Sequence, residues 1–98
     1  MRRIARRRGV VVLDELQVLR KRIDEIDVQI LKVLSERIIV CRKIGEHKKQ
    51  QNLPIRDQTR EQEVYSKVKD IAVEFQLEPV QIERVYREIV NMCSDIQK

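Results

Sequence analysis

Apolar residues recur in steps of three and four from Leu16 through Leu19, Ile23, Ile26, Ile30 and Val33, the spacing of one buried face on a helix. The next position on that face is Arg37, where another Leu or Ile is due. The stripe resumes at Cys41 and Ile44 and then meets a second cation, Lys48. Gly45 does not end the run, because one glycine inside a helix costs only about 1 kcal/mol. The break is Asn52-Leu53-Pro54, since Pro54 disfavours helical geometry in the residue before it. The pattern therefore predicts a first helix from about Asp14 to Gln50. Asp57 suits the N-cap of a second helix, which carries Glu61, Val64, Val68, Ile71 and Phe75 on one face. Leu77-Glu78-Pro79 is the next boundary, with Pro79 fitted to the first turn of a third helix that shows Ile82, Val85, Tyr86, Ile89, Val90, Cys93 and Ile96. No segment alternates like a strand. The expected fold is all-α, with one very long N-terminal helix and two shorter ones per chain.

Length turns this pattern into an expectation about assembly. A first helix of about 36 residues would be about 54 Å long, whereas a chain of 98 residues folds to a radius of gyration near ~13 Å. The two short helices can shield only part of such a rod. The rest of its apolar stripe needs another chain, so an intertwined helical homodimer is expected.

Composition adds limits. The formal net charge is +5, but Arg2, Arg3, Arg6, Arg7 and Arg8 account for the whole excess, so the body is formally neutral. Residues 1–12 read as a basic, flexible, solvated arm and residues 13–98 as one domain. No stretch approaches the roughly 18 apolar residues of a transmembrane span, and Val10–Leu13 is too short for a signal-peptide core of about 7–15. Cys41 and Cys93 each lie in an apolar stripe far apart in sequence, which reads as two reduced core thiols. His47 is the single histidine and has no metal-ligand spacing to either cysteine, so no metal site is expected. These features together point to a cytoplasmic protein with no membrane contact.

The cations carry the candidate chemistry. Arg37 and Lys48 are separated by three helical turns plus about 20°, so they point the same way with Cα atoms roughly 16 Å apart. Their heads can converge on a small anion. A charge on an apolar face requires a partner, since burying it alone costs several kcal/mol. The partner is either a carboxylate of the protein, with Asp57 and Glu61 the candidates, or a ligand. Arg20 lies about 25 Å earlier on the helix and is turned by about 100°. It cannot reach the same place from its own chain, though it could from the other chain of an antiparallel dimer.

Leu19-Arg20-Lys21-Arg22-Ile23-Asp24-Glu25-Ile26-Asp27, then Ser35-Glu36-Arg37, Lys48, and Pro54-Ile55-Arg56-Asp57-Gln58-Thr59-Arg60-Glu61 together resemble the all-helical chorismate mutases. The resemblance covers about Leu13 to Lys98. It implies an isomerase that converts chorismate to prephenate by a [3,3] rearrangement in aromatic amino-acid synthesis, within a domain-swapped dimer whose two active sites each use both chains. Carried over residue by residue, it implies that Arg37 and the other chain's Arg20 hold the substrate carboxylates. Lys48 and Gln97 would donate to the ether oxygen of the breaking bond, and Glu61, with Asp57, would meet the ring hydroxyl. Arg60 would border the pocket. Cys93 departs from the pattern: the family often has Ser there, touching a carboxylate, and a thiol is a weak donor, so that contact could be lost, be supplied by backbone or shift to Ser94.

The residue types agree with that chemistry. A pericyclic rearrangement transfers no proton and forms no covalent intermediate, so neither nucleophile, metal nor cofactor is expected. It needs a flexible dianion held compactly and donors aimed at the oxygen that gains charge. Arginine forks match carboxylates, and a lysine suits a single oxygen. Two alternatives stand beside this reading. An isochorismate pyruvate-lyase would use the same fold and a similar dianion. A non-enzymatic helical dimer would bind nucleic acid through its arm, although the neutral body and the absence of interleaved aromatics argue for no nucleic-acid partner.

Overall fold

A computed structural model describes the backbone of residues 8–98 and the side chains from Asp14 onward. The basic arm expected over residues 1–12 lies outside the residues whose side chains are described. Three helices follow in chain order, α1 (Arg8–Gln50), α2 (Gln58–Glu74) and α3 (Pro79–Gln97), so the protein is all-α with a long first helix. α1 starts before Asp14, where the apolar stripe put its beginning. The reason is cooperative: once a turn exists, each added residue gains a hydrogen bond without a new nucleation cost, and nothing in Gly9–Leu13 forces a stop.

Both breaks are built by the same device. At the end of α1, the Leu53 amide donates to the Lys48 carbonyl at 2.8 Å and the Asn52 amide to the Lys49 carbonyl at 3.3 Å. Asn52 sits in the left-handed region at φ 56°, where asparagine is tolerated better than most residues. At the end of α2, Leu77 donates to Ala72 at 2.8 Å and Gln76 to Val73 at 3.1 Å, with Gln76 at φ 60°. Each is a Schellman closure followed by a proline that cannot extend the helix. The starts are capped by side chains. Asp57 accepts from the Arg60 amide at 3.1 Å, and Glu78 from the Val80 amide at 2.7 Å ahead of Pro79.

The chain divides into two compact units, residues 1–35 and residues 36–98. In the first, the described apolar stripe is open to solvent: Leu19, Ile23, Ile30 and Val33 are all more than half exposed. The second unit packs the end of α1 with α2 and α3 around a small core of Cys41, Tyr65, Ala72 and Val90. The buried face of α2 differs from the expected one. Tyr65 and Ala72 are buried, while Ile71 and Phe75 are exposed. Arg87 of α3 lies over that edge of α2, its guanidinium 4.5 Å from the Tyr65 ring centroid. Glu83 fastens the same end, bonding Lys69 of α2 at 3.1 Å and Arg87 at 2.5 Å. Those two cations, Lys69 first, hold its carboxyl below the usual carboxylate range.

Candidate active site

A cavity of about 330 Å³ opens in the second unit. The end of α1 contributes Arg37, Cys41, Ile44 and Lys48 to its wall. The loop and α2 contribute Ile55, Asp57, Arg60, Glu61 and Val64, and α3 adds Val90, Cys93, Ser94 and Gln97. Seven residues expected at a site from the sequence therefore share one cavity: Arg37, Lys48, Asp57, Arg60, Glu61, Cys93 and Gln97. The eighth, Arg20, lies in the first unit with its side chain exposed.

Arg37 is half-buried. Among the described residues, the polar group that meets its guanidinium is Cys41 Sγ, at a weak 3.8 Å. The protein carboxylates that could have paired with it are occupied elsewhere. Glu61 is forked by Arg56, which donates Nε to Oε2 at 2.8 Å and Nη2 to Oε1 at 2.9 Å. Asp57 caps α2. The Arg37 salt bridge left open by the sequence is not the arrangement adopted.

The Arg56 fork also sets the charge of Glu61. Its hydrogen bonds hold the Glu61 carboxyl below the usual carboxylate range against the opposing effect of partial burial, and Lys48 adds a smaller pull in the same direction. Glu61 is therefore an ionised acceptor at neutral pH. Each of its oxygens keeps lone-pair capacity beyond the bond from Arg56. The fork raises the Arg56 pKa further above its ordinary value, and Arg56 Nη1 reaches Asn91 on α3 at 3.2 Å. Within the Pro54–Glu61 motif the sequence suggests no role for Arg56. The available signal was a cation directly before an N-cap with an acid in the first helical turn.

Lys48 and Gln97 form a second group. Lys48 Nζ donates to the Ile55 carbonyl and to Gln97 Oε1, the latter at 2.9 Å. One of its three ammonium hydrogens remains to be directed into the cavity. Gln97 is only 5% exposed although it is the last residue of α3. Its Nε2 donates to Cys93 Sγ at 3.2 Å. Gly45 makes this seating possible. A Cβ there would stand 2.9 Å from Gln97 Cα, Cβ and Cγ, too close for any residue with a side chain.

The same close approach corrects the reading of the cysteines. Cys41 and Cys93 are not two reduced thiols but a disulfide, with Cα atoms 5.4 Å apart. Cys41 lies one turn before Gly45, and Cys93 one turn before Gln97. Where glycine lets α3 settle against α1, the preceding turns meet and their sulfurs fall within bonding range. A separation of 52 residues carries no sign of this in the sequence. As a half-cystine, Cys93 has no S–H to donate, which removes the thiol role expected for it toward a substrate carboxylate. The hydroxyl at hand is that of Ser94, which lines the cavity and is 5% exposed.

Three cations (Arg37, Lys48 and Arg60), a buried amide and a serine hydroxyl line one cavity that also holds the carboxylates of Asp57 and Glu61, and no group of three or more metal-ligating side chains occurs among the described residues. Such a lining can pair with a small anion. The chain belongs to the chorismate mutase type II family, whose model matches residues 19–98. It is 38% identical over 91 residues to a bifunctional chorismate mutase/prephenate dehydratase of Aquifex aeolicus, an alignment covering 88% of this chain and 25% of that protein. It is 29% identical over 87 residues to a chorismate mutase of Methanocaldococcus jannaschii, covering 89% and 88%. A solved structure described as a conserved hypothetical protein from Pyrococcus furiosus superposes with a TM-score of 0.69 at 37% identity, covering 86% of this chain and 96% of that one. The chain thus spans a quarter of the bifunctional relative and most of the other two. No helix among the described residues is long and apolar enough to cross a membrane.

Proposed function

We propose that this chain converts chorismate to prephenate by [3,3] rearrangement, in a dimer whose sites draw on both copies and which works in the cytoplasm. The observation that carries the reading is Arg37: a guanidinium half-buried at a cavity whose acids are already engaged by Arg56 and by a helix cap. Its natural complement is a carboxylate brought by the substrate.

Each group then has a task. Arg37 takes one substrate carboxylate as a fork, and Arg20 of a second copy takes the other. Ser94 offers a hydroxyl to the same end of the ligand. Holding both carboxylates folds a flexible molecule toward the compact geometry in which the new carbon–carbon bond forms. As the carbon–oxygen bond breaks, negative charge gathers on the ether oxygen. The free hydrogen of Lys48 and an amide hydrogen of Gln97 meet it there. Because both donors are pre-placed by Ile55, Cys93 and each other, little reorganisation is needed as the charge develops. Glu61, an ionised acceptor held by the Arg56 fork, accepts from the ring hydroxyl, and Arg60 and Asp57 border that end. Bonds are only redistributed within the substrate, so the step consumes no proton or electron from the protein.

The open stripe of α1 supports the dimer. Leu19, Ile23, Ile30 and Val33 form a continuous apolar face, and a second copy of the same helix is its simplest cover. The deciding experiment is direct. Purified protein mixed with chorismate should consume it and yield prephenate in equal amount. Release of pyruvate instead, or no consumption, would overturn the reading.

A further inference from the structure

We propose that the Cys41–Cys93 disulfide is a redox-sensitive staple that positions the catalytic amide of Gln97, so that opening it slows the enzyme without emptying the site. The inference rests on the functional reading above for its effect on turnover, and on geometry for the rest.

The bond lies in the cavity wall, and both cysteines line it. It is the covalent link between α1, which carries Arg37 and Lys48, and α3, which carries Gln97. Each sulfur is also touched by a side chain of the site one helical turn away. Arg37 Nη1 approaches Cys41 Sγ at 3.8 Å, and Gln97 Nε2 approaches Cys93 Sγ at 3.2 Å. Gln97 is the last residue of α3, where helices fray because their final carbonyls lack partners. Beyond its side-chain bonds to Lys48 and Cys93, two features hold it in place: the Gly45 notch at 2.9 Å and the disulfide one turn earlier. Lys48 depends on Gln97 in turn, since the amide oxygen accepts one of its hydrogens at 2.9 Å. Cutting the staple therefore loosens the end of α3 that anchors the two donors for the departing oxygen. The Arg37 side of the cavity stays on the continuous α1 helix.

The chemistry is ordinary thiol–disulfide exchange. A dithiol reductant attacks one sulfur and forms a mixed disulfide. Its second thiol then displaces the remaining protein thiol, leaving two cysteine thiols and an oxidised, cyclic reductant. Two electrons and two protons pass from reductant to protein, and an oxidising disulfide of the same class reverses the step.

The test uses the full-length protein before and after treatment with dithiothreitol. Under denaturing conditions the untreated protein should show no free thiol, and the treated protein both of its cysteines. Reduction should lower kcat by about ten- to a hundredfold, the range that follows from an ångström of misplacement. KM should change by less than about threefold, because the affected donors act on charge that appears only in the transition state. The side-chain amide resonances of Gln97 should collapse toward those of the exposed Gln50 and Gln51. The effect of reduction on kcat should vanish in Gln97→Ala, whereas a general loss of structure would still be felt there. Cys41→Ala/Cys93→Ala should match the reduced protein and ignore the reductant. Free thiols in the untreated protein, an unmoved Gln97 amide, or a redox effect undiminished in Gln97→Ala would each overturn the proposal. A protein inert toward chorismate in both states would sink the functional reading instead, since the thiol count and amide resonances test the staple without turnover.

Discussion

One helix supplies two regions that look alike in sequence and behave oppositely. Along residues 16–33 of α1 the apolar stripe is unbroken, and Val28, Leu31 and Val33 are each more than 60% exposed. Along residues 37–48 the same stripe is interrupted by two cations, and there Cys41 is buried to 3% and Gly45 is covered by Gln97. The oily stretch is open and the charged stretch is enclosed. The difference teaches that an apolar stripe states a demand for cover without naming what covers it. Cations inside the stripe, by contrast, require a particular partner and so mark a site.

The contrast breaks most sharply where the enclosed cations are removed. Lys48→Ala should lower kcat/KM by about a thousandfold, the scale of losing a preorganised donor to developing charge, with the elution volume on size exclusion unchanged. Arg37→Ala should do the same mainly through binding. The open stretch answers to a different attack. Ile23→Asp should dissociate the dimer and cost about a hundredfold in activity, because a carboxylate would be forced into an apolar seam. Light scattering and turnover read both effects, and an unchanged mass with full activity would refute the interface. Mixing Arg20→Ala with Arg37→Ala chains sharpens the point. If sites are shared, subunit exchange should restore about a quarter of wild-type activity, whereas self-contained sites would restore none.

Smaller effects follow from the covalent and ionic links of the enclosed region. Cys41→Ser/Cys93→Ser should lower the unfolding free energy by about 2–4 kcal/mol through release of the closed loop in the unfolded chain, as read by denaturant titration. Glu61 sets the acid side. Its folded pKa lies below the ordinary value, first because of Arg56. It therefore stabilises the fold above the unfolded carboxylate pKa, and that contribution is lost as pH falls through the depressed folded value. Arg56→Ala should move this loss upward in pH, seen as an acid-unfolding midpoint closer to neutrality. Between about pH 6 and 9 the rate should be flat, since the donor amide of Gln97 does not titrate. A steep fall above neutrality would contradict the role given to Gln97.

Much of this was legible because local chemistry decides it. Pro54 and Pro79 mark both breaks, and the structure closes α1 and α2 beside them with left-handed Asn52 and Gln76. Asp57 caps α2 as its type and place suggest. Arg37 and Lys48 stood out as charges at apolar positions, and their spacing on one helix put them on one side before any coordinate was known. The motif around Arg20 and Pro54–Glu61 led to the family. Other features were not legible. Tyr65 and Ala72, rather than Ile71 and Phe75, face inward, an outcome of how α2 packs on other helices. Arg56 takes Glu61 out of reach of Arg37, a choice between two cations of equal charge that only distance makes.

Helices, their breaks beside Pro54 and Pro79 and the presence of cations on an oily face belong to the sequence by itself, since each depends on neighbours within a few residues. Which acid each cation meets, which sulfur finds which, and how a C-terminal glutamine comes to be buried belong to the tertiary structure. The last two turn on a notch the width of a missing methyl group at Gly45, which sets how closely α1 and α3 approach. No periodicity along a chain encodes that separation.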